Sequence, residues 1–150
     1  MTTYASLADL AAAVGTELGT SEWHTIDQHQ VDLFAEATGD HQWIHVDPER
    51  AKSGPFGGTI AHGYLTLSLI PVLAVQCYQV EGIRMAVNYG SNKVRFPSPV
   101  PVGSQVRATA ELVETEEVPG GLQAVVRFTI SGRDGGKPHC VAETITRFYA

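Results

Sequence analysis

The chain has 150 residues, 43% of them hydrophobic and 17% charged, with a formal net charge of -6 at pH 7. That apolar content suits one packed domain over residues 1–150 and excludes a disordered chain, which has too little apolar surface to offset its ordering entropy. The ten Lys and Arg are spread along the sequence, which excludes the clustered positive charge that a nucleic-acid backbone requires, so no nucleic-acid partner is expected.

In chain order, Met1-Thr2-Thr3-Tyr4 carries no basic region followed by an apolar run, so no secretory signal is expected and a cytoplasmic location follows. Leu7, Leu10, Ala11 and Val14 recur at helical spacing, and Gly15 is a natural stop for the short helix they predict. Residues 21–26 read as an edge strand. Asp27 then opens a better-signalled helix. Its carboxylate can cap free amides, Gln30 can complete a capping box, and Ile26 can staple onto Val31. The apolar face of that helix is Val31, Phe34, Ala35 and Thr38, and Gly39 ends it. Residues 40–47 read as a polar and aromatic loop. Asp47-Pro48 starts another short helix through Lys52, and residues 53–58 form a Gly/Pro-rich loop.

Residues 62–78 predict a long central helix, apolar on nearly every face and therefore surrounded by other structure, with a kink or an early end at Pro71. The apolar stretch 60–80 is interrupted by His62, Gly63, Thr66, Ser68, Pro71 and Gln76, too polar for a bilayer span, so no membrane partner is expected. Residues 83–89, 93–96, 104–117, 122–132 and 138–149 alternate β-branched and aromatic residues and predict strands. Gly120-Gly121 and Asp134-Gly135-Gly136 mark hairpin turns. A long apolar helix followed by an antiparallel meander predicts an α+β domain, the helix lying across one sheet face. Cys77 and Cys140 are too few for a metal cluster and read as buried free thiols.

The chemistry concentrates around Asp40 and His45, five residues apart just past a helix end, where a loop can turn a carboxylate and an imidazole into one cleft. Adding water to a double bond conjugated with a thioester needs one group to take a proton from water and one to deliver a proton to the α-carbon, and this pair suits those roles. Spacing leaves open which member is the base. Gly63 stands at the start of the central helix, where free amides can receive a developing enolate oxygen, while a glycine there also simply permits tight packing. His41 and His62 flank the site, and His62 is grouped with Gly63 on the substrate side. Trp43 is a candidate for the acyl pocket, although a Trp beside a helix end equally suits core packing. Ser68 is a candidate acyl contact that can instead bond to its own helix backbone. Lys93 and Arg95 alternate on one strand face and can meet coenzyme A phosphates, or form an ordinary solvated face. His24, His29 and His139 are scattered, and neither zinc-type spacing nor a phosphate-cradling loop occurs, so no metal and no cofactor beyond substrate coenzyme A is expected.

The run Gly39-Asp40-His41-Gln42-Trp43-Ile44-His45, with Ala51 and then Ile60-Ala61-His62-Gly63, resembles the hydratase-2 motif of MaoC-like (R)-specific enoyl-CoA hydratases. Asn88-Tyr89-Gly90 and residues 94–103 resemble the strand and turn that follow in that family, so the similarity covers about residues 20–150. The resemblance implies a hot-dog fold, a curved antiparallel sheet wrapped around a central helix, and a homodimer with sites near the subunit interface. It implies reversible hydration of trans-2-enoyl-CoA to the (R)-3-hydroxyacyl-CoA, with Asp40 and His45 as the catalytic pair and Gly63 as the oxyanion amide. Gln42-Trp43 stands where the family motif commonly has Asn-Pro, which is most similar to the nodulation N-like branch. The alternatives are a hot-dog acyl-CoA thioesterase, which can work without His45, and a non-catalytic acyl-thioester binding module.

Overall fold

Side-chain caps from Ser6, Asp27 and Asp47 open three of the six helices, and the computed structural model describes residues 1–150. Strand β1 (Thr2–Tyr4) leads into helix α1 (Leu7–Ala11), followed by β2 (Glu17–Thr20) and β3 (His24–Thr25). Helix α2 (Gln28–Thr38) starts as expected, the Asp27 carboxylate accepting the Gln30 amide at 2.9 Å. The Gln30 side chain does not close a capping box, because it bonds His24 Nε2 at 2.9 Å instead. Gly39 ends α2 at φ 83°, a left-handed turn that lets the chain leave the helix axis at once.

The short helices α3 (Trp43–Val46) and α4 (Pro48–Lys52) follow, α4 capped by Asp47, whose carboxylate accepts the Arg50 amide at 3.1 Å. The expectation of a loop across residues 40–47 is therefore corrected: His45 sits on a helical turn. The expected central helix is two segments, α5 (Gly63–Ser68) and α6 (Ile70–Cys77). Pro71 has no amide to offer and its ring crowds the preceding turn, so the regular ladder breaks at Leu69, whose amide is shared between Leu65 and Thr66 carbonyls at 3.1 and 3.3 Å.

Strand β4 (Tyr78–Val80) pairs in parallel with β1, and neither was expected from sequence. The two predicted strands over 83–96 are one irregular strand, β5 (Met85–Arg95), with register shifts after Asn88 and Ser91. Strands β6 (Gln105–Val118), β7 (Gly121–Gly132) and β8 (Cys140–Tyr149) form the antiparallel meander. β5 does not join it beside β6. The sheet order is β2-β6-β7-β8-β5, so the chain crosses from one edge of the sheet to the other, and β3 extends the β2 edge. The expected edge strand at 21–26 thus shrinks to two residues, and most of that edge is β2, before it.

Period-two alternation defines the core. Val106, Ala108, Ala110 and Leu112 of β6, with Leu122, Ala124, Val126, Phe128 and Ile130 of β7, face inward and are buried. The alanines leave room for the helix, and Leu65, Leu69, Ile70, Leu73 and Cys77 pack against them in one cluster. This is the expected hot-dog arrangement. One expectation fails: the helix is not covered all round, because Tyr64, Val72 and Val75 are 69%, 51% and 56% exposed. Met85, Val87 and Tyr89 of β5 are also exposed, but by alternation they point away from the helix, with Arg147 over the Tyr89 ring, while Ala86 and Asn88 face α6. Cys77 and Cys140 are buried free thiols whose pKa burial pushes up to about 11. No helix is long and apolar enough to cross a membrane. Because Leu73 is 1% exposed at the centre of the helix–sheet contact, Leu73→Ala is expected to lower unfolding free energy by about 2–5 kcal/mol in urea titration.

Candidate active site

Three segments meet at the site: the turn after α2, helix α3, and residues 59–63 at the entrance to α5. Past Gly39, Asp40 forms a tight local turn, its Oδ1 accepting the Gln42 amide at 3.3 Å. That contact occupies one carboxylate oxygen and leaves Oδ2 directed at the site, with the side chain still 53% exposed. His45 on α3 is 7% exposed. Its Nδ1 donates to the Ile60 carbonyl at 2.6 Å. A carbonyl only accepts, so the proton resides on Nδ1, and Nε2 presents a free lone pair.

Burial pushes the His45 pKa below its ordinary 6.5, opposed by the Ile60 hydrogen bond, aided by the His62 ring and opposed again by Asp40. The imidazole therefore stays neutral, and able to accept a proton, somewhat below pH 6.5. One carboxylate oxygen of Asp40 and one ring nitrogen each of His45 and His62 lie within 4.8 Å of one another. The His45 and His62 rings are stacked at 3.9 Å between centroids and 23° between planes. Imidazole binds a metal in its own ring plane at about 2.0–2.1 Å, and two nearly parallel planes this far apart do not aim at a common point. The arrangement suits proton traffic.

His45 shares a cavity of about 310 Å3 with Gly63, Thr66, Phe56, Phe96 and His139. The Gly63 amide opens α5 and has no acceptor within the chain. A Cβ there would lie 3.1–3.2 Å from the Phe96 ring, so Gly63 admits Phe96 and leaves its N–H available to the cavity. A larger cavity of about 560 Å3 lies between α6 and the β5–β8 edge and contains none of Asp40, His45 and Gly63.

The other sequence candidates divide. Ser68 lines the larger cavity, and its hydroxyl donates to Tyr64 O at 2.6 Å, the backbone bond expected of a helical serine. Trp43 lines neither cavity: the Arg50 guanidinium stacks over its ring at 4.3 Å, and Gly54 fits against its edge. Lys93 and Arg95 are exposed on β5 and also line neither, although Phe96 directly after Arg95 does. His139, which spacing left scattered, lines the His45 cavity and bonds Ser98 Oγ through Nδ1 at 3.1 Å.

Gln28 and Thr59 were missed. The Gln28 amide donates to His45 O at 2.8 Å and to Asp32 Oδ1 at 2.9 Å, while its oxygen accepts the Thr59 hydroxyl at 2.7 Å. One side chain thus ties α2, α3 and the approach to α5 together. A glutamine on the first turn of a helix gives no local sign of partners 17 and 31 residues away.

The MaoC like domain model matches residues 9–130. The chain is similar to 3-hydroxyacyl-thioester dehydratase Z of Mycobacterium tuberculosis, 60% identical over 151 residues and covering 100% of both chains. It is 46% identical over 145 residues to nodulation protein N of Rhizobium leguminosarum bv. viciae, covering 94% of this chain and 89% of that one. Among solved structures, an (R)-hydratase from A. caviae superposes with a TM-score of 0.72 at 26% identity, covering 89% of this chain and 94% of that one.

Gln28→Ala removes the three-way tie around α3. It is expected to lower stability by about 1–3 kcal/mol, the range for stranding buried partners, read from the urea midpoint, and to broaden the His45 imidazole resonances in NMR spectra.

Proposed function

The chain belongs to the MaoC-like dehydratase family, and from that premise we propose that it is a hydratase of acyl thioesters, converting trans-2-enoyl-CoA reversibly to (R)-3-hydroxyacyl-CoA. The observation that carries this reading is one small cavity holding both His45 and the unpartnered Gly63 amide, with the Asp40 carboxylate within 4.8 Å of the His45 ring. The thioester carbonyl oxygen accepts the Gly63 N–H. Water gives a proton to the Asp40/His45 pair as its oxygen bonds to the β-carbon, and the π electrons move toward the thioester oxygen. The pair then returns a proton to the α-carbon, so one water is added and the pair is regenerated. The bare Nε2 of His45 supports a proton-accepting role, and the half-exposed Asp40 carboxylate supports a partner that exchanges protons with the substrate side.

Similarity to a 3-hydroxyacyl-thioester dehydratase supports the reaction class, and similarity to nodulation protein N agrees with the branch suggested by Gln42-Trp43. The (R) stereochemistry rests on likeness to an (R)-hydratase. Two buried free thiols suit a reducing cytoplasm.

Loss of enoyl-thioester absorbance with crotonyl-CoA, followed beside a free-thiol assay, tests the reading. Wild type is expected to consume the absorbance without releasing thiol, and Asp40→Asn and His45→Gln each to lower kcat by roughly two orders of magnitude or more. Thiol release would point instead to a thioesterase.

Self-association belongs to the same reading. The outer edge of β5 is unpaired, and Val72 and Val75 of α6 are exposed apolar side chains on the open side of the helix. A dimer is expected by sedimentation equilibrium, and Val75→Asp is expected to shift it toward monomer.

A further inference from the structure

We propose that His62 is a positioning residue of the catalytic pair, its ring edge holding the Asp40 backbone and its ring face backing the His45 imidazole. The proposal rests on the reading of Asp40 and His45 given above, and it assigns a task to a group which that reading leaves idle.

His62 is 3% exposed. Its Nε2 donates to the Asp40 carbonyl at 3.0 Å and lies 4.0 Å from Asp40 Oδ2. Because the partner at 3.0 Å is a carbonyl, the proton sits on Nε2, and Nδ1 is a bare acceptor. That Nδ1 is buried with no hydrogen-bond partner. The ring face stacks on His45 at 3.9 Å, and Phe34 of α2 packs on the ring at 4.8 Å and 55°.

Plain core packing explains this arrangement poorly. A buried polar atom without a partner costs about 1–3 kcal/mol, and a phenyl ring would fill the space between Phe34 and His45 without that penalty. A cost tolerated at a reacting centre points to a use there. The use is visible in what the two bonded groups do. Gly39 gives the chain a free pivot just before Asp40, and the donation from His62 fixes the far side of that pivot. The stack fixes the plane of His45, whose Nδ1 is already held by Ile60. One side chain thus sets the relative position of both members of the pair.

Burial, then the neighbouring His62, hold the His45 pKa down against Ile60 and Asp40. The titratable groups near the stack are Asp40 on the turn after α2 and His139, which shares the His45 cavity, while Phe34 of α2 and Thr66 of α5 carry no charge. His41 adjoins Asp40 in the chain and is exposed. Removing His62 takes away one influence that holds the His45 pKa down and leaves the Ile60 and Asp40 influences that hold it up, so the His45 midpoint is expected to rise. The acid limb of kcat/KM, where the neutral base is lost, must move to higher pH with it.

Two variants separate the two contacts. His62→Phe keeps a ring against His45 and loses the donor to Asp40, while His62→Gln keeps a donor of similar reach and loses the ring. Both are read by circular dichroism, steady-state kinetics and 15N-histidine NMR titration of His45. Expected are native spectra, a fall in kcat of about 10- to 100-fold in His62→Phe with little change in KM, partial recovery in His62→Gln, and an upward His45 midpoint in both. Wild-type kcat together with an unmoved His45 midpoint would overturn the proposal and leave His62 as core filler. Should wild type hydrate no enoyl thioester, the catalytic reading fails, and the NMR titration still decides the inference: an unmoved midpoint refutes it. If His62→Phe does not fold, the same two readouts on His62→Gln carry the decision.

Discussion

Ile60 gives both ends of its backbone to one short helix: its amide donates to Ile44 O at 3.0 Å and its carbonyl accepts His45 Nδ1 at 2.6 Å. The residues on either side are tied the other way, Val102 N to Thr59 O and Ala61 N to Val100 O, both at 2.9 Å. This single extended segment therefore joins α3 to the loop leading into β6 and then delivers the chain into α5. Shifting it would move the His45 imidazole, the Gly63 amide and the stacked His62 ring together. The site is built on backbone hydrogen bonds of a kind that a buried chain must make anyway, so its geometry follows from satisfying those groups.

Much of the frame was legible because its signals are local. Asp27, Gly39, Asp47-Pro48 and the paired glycines at the hairpins each act within a few residues of themselves, through capping or through positive φ. The alternation in β6 and β7 likewise reads directly as one buried face. What escaped depended on distant partners. Residues 78–80 have no strand pattern of their own and become β4 by pairing with residues 2–4. The crossing of β5 to the far side of β8 is a choice among sheet edges that periodicity does not encode. α3 is one turn with no side-chain cap, held by Gln28 and Ile60, so no capping residue announces it.

The site divides along the same line. Asp40, His45 and Gly63 were legible because residue type, spacing and a helix start all pointed to acid-base and oxyanion chemistry. Gln28 and Thr59 were not, since a glutamine contacting three segments looks like any polar residue on a helix turn. Lys93 and Arg95 alternate as expected and stand exposed on β5, where the cavity-lining neighbour is Phe96. An alternating pattern tells which side chains share a face, and the fold decides what that face meets.

The apolar helix makes the same point about completeness. A helix hydrophobic all round is expected to be enclosed, yet one side of α6 stays open together with β5. The sequence pattern describes what must eventually be buried, and a single copy buries only the part that faces β6 and β7. The cavity between α6 and the β5–β8 edge is lined by Ala74, Val75, Ala86 and Phe148, with Ser68 and Asn88 among the few polar groups. It opens on that same uncovered side, whereas the imidazole stack lies on the other side of α5, under Phe34 and Ile60. His45 and His62 are thus buried by contacts within one chain, and the apolar surface left over is separate from them. The hydrogen bonds that position Asp40 and His45 all come from within one chain.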